Sequence, residues 1–111
     1  MGKPIRFTVP ALEQGLRARQ IVQTVRSKTE FFRNEWSVGQ AVDVLFRDEK
    51  LGEAEIVLVQ PVKIAQLTEE DARLGGLAKV SDLKGVLKRF FRFFPDIEPI
   101  EVYKIRYRWK S

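Results

Sequence analysis

The stretch "IEVYKIRYRWK" near the C-terminus alternates with a period of two along its length. Tyr103, Ile105, Tyr107 and Trp109 fall on one face, and Val102, Lys104, Arg106 and Arg108 on the other. Successive side chains of a strand point to opposite sides of its sheet. This segment is therefore a strand with one aromatic, buried side and one basic, open side. A chain that ends this way has to supply a sheet for it to join.

The rest of the sequence supplies one. "IRFTV", residues 5–9, alternates Ile5, Phe7 and Val9 against Arg6 and Thr8. Pro10 opens a helical stretch, "PALEQGLRARQ", with Leu12 and Leu16 four apart. "IVQTVR" reads as a second strand. "SKTEFFRNEWSVGQ" reads as a loop with aromatics, "AVDVLFR" as a strand, "DEKLGE" as a turn, and "AEIVLVQPVKIAQL" as a long strand bent at Pro61. Thr68 is the N-cap of a short helix with Asp71 at the capping-box position, closed by Gly75 and Gly76. "SDLKGVLKRFFRFFP" is a further helix stopped by Pro95. Its buried stripe is Leu83, Val86, Leu87, Phe90 and Phe94. Strands outnumber helices and no run predicts a doubly wound parallel sheet. The economical architecture is α+β: a small mixed, mostly antiparallel barrel with two to three flanking helices, one domain over residues 1–111.

The sequence contains no cysteine and no histidine. That excludes disulfides, thiol nucleophiles, histidine-dependent triads and Cys/His zinc sites. No tight carboxylate spacing argues for a magnesium site, so no metal and no cofactor is expected. No apolar run reaches membrane-spanning length and the N-terminus has no signal-like apolar block, which predicts a cytosolic protein.

The net charge is +5, distributed as +4 over residues 1–40, −3 over 41–80 and +4 over 81–111. If the two basic ends meet, they form one positive face suited to a polyanion. Lys84, Lys88 and Arg92, spaced by four, make a cationic edge on the last helix. Arg106 and Arg108 continue it on the last strand. Arg17 and Arg19 lie on the solvent side of the first helix and Lys28 follows the second strand. Trp36 shares a loop with Arg33 and is the candidate for stacking on a base. Phe90, Phe91, Phe93 and Phe94 are assigned mostly to the core. Thr24 and Arg26 put a hydroxyl and a guanidinium side by side on the second strand, where they would line a ligand-facing cleft.

Taken in order, these pieces resemble the ASCH domain family of the PUA-like superfamily. The features are "T-V-R" (Thr24, Val25, Arg26), "W-x-x-G-Q" (Trp36, Gly39, Gln40), "LTEEDARLGG" (Leu67, Thr68, Ala72, Gly76), a Leu-rich helix ending in "FFP", and the closing "VYKIRYRW". The resemblance implies a small β-barrel with a positively charged cleft that binds RNA or other nucleic acid. It also implies an alternative: some small members resemble amidohydrolases acting on N4-acetylcytidine. Their implied machinery is a lysine, a threonine nucleophile three residues on, and a glutamate after the short helix. The threonine falls on Thr24, but the lysine position holds Ile21 and the glutamate position Gly75. A threonine hydroxyl is a poor nucleophile without a neighbouring base.

The sequence thus predicts a non-catalytic nucleic-acid-binding module, for RNA rather than DNA. The residues expected to bind are Arg17, Arg19, Thr24, Arg26, Lys28, Arg33, Trp36, Lys84, Lys88, Arg92, Arg106 and Arg108. An acidic protein partner for the same basic face is the other expectation.

Overall fold

The computed structural model describes residues 2–110. Five strands form one mixed sheet: β1 (Ile5–Phe7), β2 (Gln23–Ser27), β3 (Ala41–Phe46), β4 (Glu49–Lys63) and β5 (Glu101–Trp109). The spatial order is β1-β3-β4-β5-β2. β1 runs parallel to β3 and every other pair is antiparallel. The sheet curls into a half-barrel that stays open between its two edge strands, β1 and β2. Four helices flank it: α1 (Glu13–Arg17), α2 (Lys28–Asn34), α3 (Glu69–Leu74) and α4 (Val80–Phe90). The expected α+β architecture, a small mixed sheet curled on itself with flanking helices, is the one found. Among the described residues no helix is long and apolar enough to cross a membrane.

Alternation sorts the core into two clusters on opposite faces of the sheet. Ile105 and Tyr107 of β5 point into the half-barrel with Ile5, Phe7, Val42, Val44, Phe46, Ala54 and Ile56. Tyr103 and Trp109 pack against the same cluster, so the apolar face of β5 is the one read from the sequence. Val102 points the other way, into a cluster with Ile64, Leu67, Ala72, Leu83, Leu87 and Ile97. A bulge in β4 between Ile56 and Leu58 shifts the parity, so that Ile56 and Val59 both face inward.

Three local expectations are corrected. Residues 28–34 form a helix rather than a loop. The Ser27 hydroxyl accepts from the Glu30 N–H at 3.1 Å and caps it. The hairpin between β3 and β4 turns on Arg47 and Asp48 alone, Arg47 having φ 55°, and β4 begins at Glu49 inside the segment read as turn. α4 stops at Phe90, five residues before Pro95, and only Leu83 and Leu87 of its stripe are buried, with Val86 half-buried. Phe90 and Phe94, read as core, are exposed. Gly76 is needed where it stands: its φ is +83°, and a Cβ there would lie 2.5 Å from Ile21 Cδ1.

Tyr107 is buried in the half-barrel and its hydroxyl has no hydrogen-bond partner among the described residues. Burial pushes its ionisation well above the usual phenol range, against the opposing pull of the Arg26 charge. An unpartnered buried polar group costs about 1–3 kcal/mol. Tyr107→Phe is therefore expected to leave the free energy of unfolding in urea unchanged or raise it by up to about 1 kcal/mol. A loss larger than that would show the hydroxyl to be engaged.

Candidate functional site

Among the described residues, the Arg26 side chain spans the gap between β1 and β2. Arg26 Nη2 donates to the Arg6 carbonyl on β1 at 2.7 Å, and Nε donates to Thr24 Oγ1 on its own strand at 2.8 Å. Nη1 donates to Glu30 on α2 at 2.7 Å. The guanidinium carbon also lies 5.1 Å from the Phe7 ring centroid. Arginine suits this position because its planar fork directs several donors at once while its flat face rests on a ring. The two lips are thus held together without closing the barrel.

Above this clasp lies a cleft of about 280 Å³. Arg6, Phe7, Thr8 and Val9 form one wall, and residues 23–27 of β2 form the other. α3, α4 and the turn between them roof it with Asp71, Gly75, Leu77, Leu83, Val86, Leu87 and Phe90. The walls are largely apolar, with a few convergent polar groups, as is usual for a small-ligand site. β2 is an edge strand. The Tyr107 N–H to Val22 carbonyl bond, followed along the register, directs alternate backbone groups of β2 toward β5 and leaves those of Gln23, Val25 and Ser27 facing the cleft. The lining carries two cations, Arg6 and Arg26, and two carboxylates, Glu30 and Asp71; Arg26 pairs with Glu30, and Asp71 pairs with Lys104. The cleft is near-neutral, not basic.

At the inner end of the cleft sits a polar network. Asp71 Oδ1 accepts from the Gln23 amide at 3.0 Å and from Lys104 Nζ at 3.1 Å. Oδ2 accepts from the Thr68 N–H at 3.0 Å, and the Asp71 N–H donates to Thr68 Oγ1 at 3.2 Å, completing the predicted capping box. Gln23 Oε1 accepts from Arg106 Nε at 3.0 Å. One carboxylate therefore locks α3 onto β2 and β5. Burial alone would raise the pKa of Asp71. The hydrogen bonds from Gln23, the Thr68 N–H and Lys104 outweigh that, and hold it below its ordinary value.

The sequence-predicted binding residues do not converge on one groove. Thr24 and Arg26 line the cleft, as expected. Thr24 is 8% exposed and its hydroxyl accepts from Arg26. Trp36, expected to stack on a base, is 3% exposed and donates from Nε1 to the Lys3 carbonyl at 2.8 Å, so its ring plugs the half-barrel and offers no face. Arg17, expected to be free, makes a two-pronged bond to Glu49 at 2.8 and 2.9 Å and a second contact to Glu13. The paired Glu49 and Glu13 raise its pKa further. Arg19 turns inward in a left-handed backbone conformation, donates to the Leu51 and Arg17 carbonyls, and lies 4.5 Å from the Trp109 ring centroid.

Lys28 faces Glu101 at 3.8 Å, Lys84 pairs with Glu98 at 3.2 Å, and Arg108 pairs with Glu55 at 2.9 Å. Arg106 is half-buried on Gln23. Arg33, Lys88 and Arg92 are exposed and make no ion pair among the described residues. Residues the sequence reading left out are Gln23, Glu30 and Asp71, which build the cleft's polar floor, and the exposed Phe90 on its rim. A "Ser-x-x-Glu" signature at Ser27 and Glu30 was the available signal for α2.

No protein-family model matches the sequence, and no curated protein matches it. Solved structures do match in shape. An ASCH domain from Lactobacillus crispatus superposes with a TM-score of 0.74 at 13% identity, covering 96% of this chain and 78% of that one. The chain has the fold of an ASCH domain. A protein of Enterococcus faecalis described by the family model DUF984 superposes with a TM-score of 0.73 at 15% identity, over 96% of this chain and 75% of that one. At such identities the likeness is one of architecture.

Within the ASCH fold, the positions that the amidohydrolase resemblance would need are structural here. Ile21 is buried in the half-barrel core, and its carbonyl accepts from Trp109 Nε1 at 2.8 Å. Gly75 lines the cleft but carries no carboxylate. No amine or carboxylate is hydrogen-bonded to the Thr24 hydroxyl among the described residues. Its neighbour is a guanidinium, which cannot take its proton.

Asp71 predicts an acid-sensitive α3. A carboxyl whose folded pKa is depressed contributes stability that is present above its unfolded pKa, about 3.9, and is lost as pH falls through the lower folded value. Asp71→Asn is expected to cost about 3 kcal/mol at pH 7, because it leaves the buried end of Lys104 unpaired. The variant should also lose stability less steeply than the parent below pH 4. Urea melts across pH 2–7 on both proteins check this, and parallel curves would exclude it.

Proposed function

We propose that the chain is a non-catalytic nucleic-acid-binding module, for RNA in preference to DNA, that takes one unstacked base into the cleft between β1 and β2. The observation carrying this reading is the cleft itself: apolar walls from Val9, Leu77, Leu83, Val86 and Leu87, one edge of outward-facing β2 backbone groups, and Thr24 with Arg26 at the floor. A flat heteroaromatic ring fits such a slot. Its faces meet the aliphatic walls, and its polar edge meets donors and acceptors that already point into the space. Bases inside a duplex cannot reach a recess of this kind, whereas those of single-stranded RNA can. The ASCH resemblance supports the same ligand class, and a cytosolic setting accords with it. The phosphates would be met outside the near-neutral cleft, by the exposed Arg33, Lys88 and Arg92. Affinity should therefore fall as salt rises.

Gly75 provides the test. Its φ is not in the left-handed region, and a Cβ there would meet the nearest atoms at 3.4–3.6 Å, ordinary contact distances. The backbone at this position accepts a Cβ, and Gly75 lines the cleft, so Gly75→Leu is expected to take up cleft space. Titration of a single-stranded oligoribonucleotide at low salt is expected to show binding by the parent and about tenfold weaker binding by Gly75→Leu, an effect of the size of one base contact. Thermal melts of the two proteins should agree within a few degrees. No binding of RNA or DNA by the parent at low salt would end the proposal.

A further inference from the structure

We propose that the segment after the midpoint of α4, residues 88–94, is a stacking platform for single-stranded nucleic acid that continues from the rim of the cleft. This deepens the nucleic-acid reading and rests on it. Phe90, Phe93 and Phe94 are 63%, 85% and 56% exposed. Three large aromatic side chains left in water within five positions mark a contact surface. Phe90 is the last residue of α4 and the chain turns over the next three residues, so Phe93 and Phe94 leave the helical stripe.

The rings are held in place. Phe91 is half-buried against the second core cluster, and Phe90 and Phe94 each pack edge-on to it, at 4.9 and 5.8 Å between centroids. Arg92 lies over Phe93 at 4.9 Å. Lys88, Arg89 and Arg92 make no ion pair among the described residues, while Lys84, one turn earlier, is matched to Glu98. Exposed ring faces interleaved with uncompensated cations are what a single strand needs, the bases stacking and the phosphates meeting charge. Phe90 also lines the cleft, so a strand with one base in the recess passes directly onto these rings. A lipid surface is the less suited occupant: Arg92 rests against one face of the most exposed ring, and inserting Phe93 would carry that charge toward the acyl chains.

The test titrates the parent chain with a labelled oligouridylate and with an RNA duplex of equal length, at two salt concentrations. The single strand should bind more tightly. Phe93→Ala and Phe94→Ala should each weaken it by about tenfold with the salt dependence unchanged. Lys88→Gln combined with Arg89→Gln should lower the salt slope for the single strand by about 1.4. These side chains are exposed, so circular dichroism should report intact folds. If the parent and Gly75→Leu differ as above but the phenylalanine variants bind like the parent, the platform is overturned and the cleft reading stands. If the parent binds no nucleic acid, both fall. Sedimentation with phosphatidylserine–phosphatidylcholine vesicles that depends on Phe93 and Phe94, with RNA affinity unaffected by them, would reassign the segment to a lipid surface and overturn the inference.

Discussion

The structure turns on a sheet that curls but does not close. β1 and β2 are both edge strands, and the space between them is bridged by the guanidinium of Arg26, which reaches the Arg6 carbonyl, Thr24 and Glu30 together. A backbone ladder across this gap would have filled it. A side-chain bridge leaves room above, and that room is the cleft. Most of the hydrogen-bonding capacity of Arg26 is committed to architecture, so what the cleft offers a ligand is shape and edge-strand backbone more than charge.

The same economy governs the other charged groups. Of the cations on the outer face of β5, Lys104 and Arg108 are met by carboxylates and Arg106 by the Gln23 amide. Asp71 serves helix capping, strand attachment and charge compensation with its two oxygens. A net charge of +5 therefore does not describe a basic face. It describes a molecule in which many cations are spent internally and the uncompensated ones concentrate in particular places, the C-terminal end of α4 among them.

The sequence made some of this legible and hid the rest for identifiable reasons. The two faces of β5 could be read because a period of two needs no knowledge of partners. The Thr68–Asp71 capping box could be read because it is local. Ser27 and Glu30 carry an equally local signature for α2, outweighed by the aromatics and the Gly-containing turn of the same segment, which read as a loop. Trp36 could not be placed, since its fate is decided by the Lys3 carbonyl, thirty-three residues away. Phe90 and Phe94 continue the helical period of Leu83 and Leu87, but periodicity says nothing of where a helix parts from its sheet. For the candidate site, Thr24 and Arg26 were found as a pair. Their wall across the gap, Arg6 to Val9, and their floor, Gln23 and Asp71, depend on long-range pairing that one sequence does not reveal.

The strand order has a bearing on how the chain assembles. β5 is the last strand in sequence, yet it lies between β4 and β2, and β2 has no other strand beside it. β2 must wait through some seventy-five residues of synthesis before its neighbour exists. Contacts at that separation are slow to form. On the ribosome β2 would emerge with no strand beside it, and the recess would come into being only once β5 has been made, together with the sheet that frames it.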